Sequence, residues 1–170
     1  TLQKGDTLTL TYGARSGGSP GLRMPSTSSD FTPFPLYLIF DDSGEQYSLP
    51  IAPIRISGTT LAGVHGFAPS VVRPGETFTM SVRAQDRFFN RAQPPYPAWQ
   101  VYANGELLSE LPAGQSAISL LETVRFDTPG VYRIGIRSAD GAISGVANPI
   151  LVSVDAERLQ WGDTHGHSGF

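Results

Sequence analysis

The chain has 170 residues with 12 Lys plus Arg against 15 Asp plus Glu, a formal net charge of -3. Charged residues make 16%, hydrophobic ones 39%, and 19 Gly with 14 Pro supply about a fifth of the chain. That profile excludes a coiled coil, a helical bundle and a disordered chain, and suits many short strands joined by Gly/Pro turns. No Lys/Arg run is present to neutralise a phosphate backbone, so nucleic acid is not an expected partner. No apolar stretch reaches the roughly 18 residues of a membrane-spanning helix. Zero cysteines exclude disulfides, thiolate metal sites and a cysteine nucleophile.

Residues 1–57 are read as a partial N-terminal β-region. Residues 7–12 alternate Thr with Leu8, Leu10 and Tyr12, which predicts a half-buried strand. Residues 13–35, dense in Gly, Ser, Pro and Thr, predict a long loop. Residues 36–40 predict a strand buried on both faces. Residues 47–56 predict an edge or bulged strand, interrupted by Pro50 and Pro53. Three or four strands make a thin sandwich, so this segment is expected to be part of a domain whose remainder lies upstream.

Residues 58–155 are read as an immunoglobulin-like antiparallel β-sandwich. A first strand is expected within 61–72, then a turn at Arg73-Pro-Gly75, then a strand over 77–84 with Phe78, Met80 and Val82 inward. Asp86 and Asn90 close that strand. They are candidate oxygen ligands for calcium, although an Asx-stabilised turn explains them more simply. Further strands are expected at 99–102, with a turn at Asn104-Gly105, and within 117–126, with Ile118, Leu120 and Val124 as apolar members. Asp127-Thr-Pro-Gly-Val-Tyr132 leads into a late strand in the manner of a tyrosine corner, and Asp140-Gly141 turns the chain into the last one. Trp99 fits the central core aromatic of such a sandwich. Tyr96, Trp99 and Tyr102 form an alternative aromatic platform for sugar stacking, with core packing the commoner role of such residues. His65, on the first strand, reads as structural or surface. No nucleophile elbow, phosphate loop or dinucleotide fingerprint occurs.

Residues 156–170 contain Asp163, His165 and His167, which alternate and so share one face of an extended segment. A carboxylate and two imidazoles suit the start of a site for a divalent metal such as Zn, Mn or Fe. The spacing alone serves equally well for an exposed tail that contains a His-x-His.

Trp161-Gly-Asp-Thr-His-Gly-His-Ser-Gly169 resembles the opening motif of the DUF3604 family, whose catalytic part is PHP-like (polymerase and histidinol phosphatase). Gly5-Asp-Thr-Leu-Thr-Leu10, Ala68-Pro-Ser70, Arg73-Pro-Gly-Glu76, residues 86–90, Pro129-Gly-Val-Tyr132 and residues 144–150 are similar to that family's upstream region, in the same order. The resemblance implies that His165 and His167 are the first two ligands of a multinuclear metal centre, with Asp163 as the acid before them. Thr164 departs from the apolar residue common at its position. The implied fold is an all-β accessory region followed by the first strand of a distorted β/α barrel, and the implied chemistry is metal-assisted hydrolysis of a phosphoester. On that reading the fragment is inactive alone, its partner is the missing C-terminal catalytic domain of the same chain, and homo-oligomer formation is compatible with it. A free-standing carbohydrate-binding or adhesion module is the alternative, and a structural spacer the plainest one.

Overall fold

The computed structural model describes residues 5–39 and 44–157. Apart from one 3-10 turn at Ser16–Gly18, its regular structure is all β. Thr7 to Tyr12 forms no strand, contrary to the alternation of its sequence, and Leu8 and Leu10 are 62% and 55% exposed. Alternation specifies a strand only where a neighbouring strand takes up its backbone groups, and no such neighbour stands beside this segment among the described residues. Residues 13–35, expected to be one long loop, do contain a strand, β1 (Ser29–Thr32), which pairs antiparallel with β4 (Ile54–Ile56). Between them β2 (Leu36–Leu38) and β3 (Tyr47–Leu49) form a hairpin-like pair. β2 is not buried on both faces as expected, since Tyr37 and Ile39 are exposed. Pro50 and Pro53 split the 47–56 run into β3 and β4, because proline brings no N–H to a ladder.

The sandwich begins at β5 (Gly63–Phe67). The single strand expected over 61–72 breaks at Ala68 and Pro69, and a short β6 (Val71–Val72) follows. β5 joins a three-stranded antiparallel sheet with β7 (Thr77–Gln85) and β10 (Ile118–Arg125), in the order β10-β7-β5. The opposing sheet contains β8 (Trp99–Ala103), β9 (Glu106–Leu111), β12 (Ile134–Ser138) and β13 (Ser144–Val146), in the order β13-β12-β8-β9. β11 (Gly130–Tyr132), β14 (Ile150–Val152) and β6 form a further three-stranded sheet in the order β11-β14-β6, with β6 parallel to β14. From β7 onward the chain crosses to the sheet of β8 and β9, back to β10, and over again to β12, which is the connectivity of an immunoglobulin-like sandwich.

Side chains from both inner faces fill the space between. β7 contributes Phe78, Met80, Val82 and Ala84 as its alternation predicts, and Trp99, Val101, Ile134, Ile136, Ile150 and Val152 meet them from the other sheet. The tight turn at Asn104-Gly105, with φ of +50° and +92°, connects β8 to β9. β9 itself lay hidden in the sequence, because Glu106, Ser109 and Glu110 break its apolar pattern. β10 departs from expectation in a different way. Leu121 pairs with Met80 but Val124 with Phe78, so one extra residue is inserted between them. The bulge reverses the facing: Ile118 and Leu120 point outward, while Leu121 and Val124 pack on the core.

Candidate functional site

Asp163, His165 and His167 lie outside the described residues, as does the rest of the 161–169 motif. Among the described residues no group of three His, Cys, Asp or Glu side chains is placed to hold a metal ion. His65 sits on β5 with its ring edge-on to Phe67 at 4.8 Å, a packing role.

Among the described residues the Asx pair at the end of β7 forms a densely bonded polar cluster. Asp86 is 2% exposed. Its Oδ1 accepts the N–H groups of Phe88 (2.8 Å) and Asn90 (3.0 Å), and its Oδ2 accepts the N–H of Thr59 (2.9 Å) and the Asn90 side-chain amide (3.2 Å). Burial pushes the carboxyl pKa up, but those donors from Thr59, Asn90 and Phe88 outweigh it and hold the group at about 2. Asn90 turns its remaining groups outward: Oδ1 accepts the Ser28 N–H at 2.8 Å, and Nδ2 donates to the Ser26 carbonyl at 2.7 Å. A carboxylate whose two oxygens are each taken by two N–H donors is an anchored turn rather than a calcium ligand. The pair also ties the N-terminal segment to the sandwich, a role that no local signal in the sequence reveals.

The aromatic platform does not form. Trp99 and Tyr96 are buried in the core, and Tyr96 donates its hydroxyl to the Ala92 carbonyl; burial raises its pKa, partly offset by the nearby Arg91 charge. Tyr102 is half-buried and donates to Gln100 Oε1 at 2.9 Å. Tyr132 is a tyrosine corner: its hydroxyl donates to the Thr128 carbonyl at 3.1 Å while its ring stacks on Phe126 at 3.8 Å.

Two further arrangements escaped the sequence reading. Asn148 accepts the Ala68 N–H at 3.0 Å and donates to the Ala68 carbonyl at 2.9 Å, clamping the point where the chain leaves β5 for β6. Where residues 28–30 and 55–58 meet the sandwich, an open crevice of about 570 Å³ is lined by Arg55, Arg83 and Arg91. These arginines come from three separate segments, so only the fold brings them together.

No family model matches the chain. The chain is 29% identical over 178 residues to an uncharacterized protein of Chlamydia pneumoniae, and 28% identical over 181 residues to one of Chlamydia muridarum. Each alignment covers 98% of this chain and 28% of the relative, so the chain spans about 28% of the length of the curated relatives it matches. Among solved structures, the crystal structure of the CARDB domain of the PF1109 protein from Pyrococcus furiosus, in complex with di-metal ions, is 18% identical with a TM-score of 0.43. That alignment covers 58% of this chain and 93% of the CARDB chain. The assignment to an immunoglobulin-like sandwich rests on the strand order and core of the chain itself.

Proposed function

We propose that this chain is a non-catalytic β-sandwich module joined to a metal-dependent hydrolase of the DUF3604, PHP-like kind. The order of parts supports this reading. A closed sandwich without a ligand cluster among its described residues ends at Ile150–Val152, and the Asp163, His165, His167 motif follows within a short stretch of chain. The relatives are several times longer than the chain, which leaves room for a catalytic domain in them. Two imidazoles and a carboxylate suit Zn, Mn or Fe, and further ligands would come from beyond them. When bound, such a metal lowers the pKa of a water and stabilises charge on the attacked phosphorus. His165 and His167 would hold the metal, and Asp163 would bind it or orient an imidazole.

The test uses the protein extended past Phe170. Metal content by mass spectrometry and hydrolysis of bis-p-nitrophenyl phosphate are compared for the wild type and for His165→Ala with His167→Ala. Loss of bound metal and of turnover together supports the reading. Unchanged metal content, or no hydrolysis by a metal-loaded wild type across a panel of phosphoesters, overturns it. The platform of Tyr96, Trp99 and Tyr102 that a carbohydrate-binding reading invokes is not available, since Tyr96 and Trp99 lie in the core.

A further inference from the structure

The crevice between the N-terminal segment and the sandwich is an island of positive charge on a chain of net charge -3. Among the described residues three guanidiniums line it, against the carboxylate of Asp30. Asp30 is already engaged by Arg55, at 3.0 Å from Nε. Arg83 and Arg91 have no carboxylate within ion-pair distance among the described residues. Arg83 donates through Nη2 to the Phe89 carbonyl at 3.1 Å, and its Nε is buried without an acceptor. A guanidinium with unspent donors, lining the same crevice as a second one without a carboxylate partner among the described residues, leaves an unmet demand for oxygen lone pairs. Ser57 and Gln93 add neutral donors to the same walls. Planar guanidinium forks match the oxygens of phosphate and sulfate groups, which accept two N–H bonds at once.

We propose that this crevice binds a tetrahedral oxyanion, the phosphate or sulfate group of a small ligand, through Arg83 and Arg91. None of these residues belongs to the 161–169 motif, so the proposal stands or falls independently of the hydrolase reading.

The experiment titrates the full chain with inorganic phosphate and, separately, inorganic sulfate at constant ionic strength set with sodium chloride, read by calorimetry and by amide chemical shifts. Saturable binding is expected, with shifts centred on residues 28–30, 55–58 and 91–93. Arg91→Gln, at an exposed position, is expected to weaken it at least tenfold, and Arg83→Gln likewise. Arg125→Gln, which removes a guanidinium paired with Asp127 elsewhere, should leave it unchanged. Tighter binding of phosphate, strengthening from pH 6 to pH 8 as the dianion forms, assigns a phosphorylated ligand. Tighter, pH-independent binding of sulfate assigns a sulfated one. A response that rises linearly without saturation, or one that Arg91→Gln and Arg125→Gln weaken equally, overturns the proposal.

Discussion

Asp86 and Asn90 hold each other through backbone and side chain alike. The Asp86 N–H donates to the Asn90 carbonyl at 3.0 Å, while the Asp86 carboxylate takes both the Asn90 N–H and the Asn90 side-chain amide. Phe89 between them adopts φ of +65°, a left-handed conformation that the closed loop of bonds sustains. Asn90 then reaches Ser26 and Ser28, so the turn that ends β7 is also the anchor of the N-terminal segment.

Replacing Asn90 by Ala is therefore expected to act at two levels. It leaves the Ser28 N–H and the Ser26 carbonyl without their partner and removes one donor from a buried carboxylate, a loss of about 2 kcal/mol. Urea unfolding followed by tryptophan fluorescence reads the first effect, through buried Trp99. Amide exchange at Ser28, expected to accelerate well beyond exchange in β7, reads the second. Equal acceleration in both places would mean that Asn90 supports only the sandwich.

The depressed pKa of Asp86 predicts an acid limit of definite sign. A carboxyl held at about 2 when folded, against about 3.9 when unfolded, stabilises the fold fully above pH 4. That stabilisation is lost as the pH falls from about 4 toward 2. Asp140, lowered by its bond from Ser138 and by the Ala142 N–H, adds to the same trend. Urea midpoints measured from pH 6 to pH 2 should fall steeply below pH 4. In Asp86→Asn, which costs about 3 kcal/mol at neutral pH by turning amide hydrogens toward N–H donors, the slope below pH 4 should be distinctly shallower.

The two roles of Tyr132 separate by substitution. Tyr132→Phe removes the bond to the Thr128 carbonyl and keeps the stack on Phe126, so a loss of about 1 kcal/mol is expected. Tyr132→Ala also removes the ring and is expected to cost about 3 kcal/mol. Thermal unfolding of both variants against wild type measures the split.

How far the sequence carries depends on what each residue touches. The strand β7 was legible because its alternation, its Asx stop and its burial all agree, and the corner at Tyr132 because Asp, Gly and Tyr carry it within six positions. Trp99 was legible as a large apolar side chain on a central strand. The facing of β10 was not, because the bulge between Leu121 and Val124 is set by pairing with Met80 and Phe78 on a distant segment. Residues 7–12 carry a strand pattern with no partner among the described residues, so the pattern alone misleads. The crevice arginines and the Asn90–Ser28 bond were illegible for the same reason: they join positions far apart in sequence. Asp163, His165 and His167 lie outside the described residues, so the structure bears on neither reading of them.

The bulge in β10 makes a pair of adjacent leucines diagnostic. Leu120 is 53% exposed, whereas Leu121 packs against the core beside Met80. Leu121→Ala should cost about 2 kcal/mol, and Leu120→Ala less than about 0.5 kcal/mol. Chemical denaturation midpoints of the two variants test the register directly. A larger loss for Leu120→Ala would place β10 one residue out of the pairing described.

Gly145 marks the place where the two sheets close on each other. A Cβ there would stand 1.9 Å from the Val64 carbonyl oxygen and 2.9 Å from its carbon, so backbone rather than a flexible side chain opposes it. β13 and β5 can approach this closely only because the position carries no side chain. Gly145→Ala must push one strand away and open the layer above Val64, at an expected loss of about 3 kcal/mol. Gly135 on the neighbouring β12 is the control, since its Cβ would meet nothing nearer than the Tyr102 Cβ at 3.9 Å. Gly135→Ala should leave stability within about 0.5 kcal/mol of wild type, as ordinary van der Waals contact allows. Urea unfolding of the two variants decides it: similar midpoints would mean that β13 does not lie against β5, and the closed side of the sandwich would have to be redrawn.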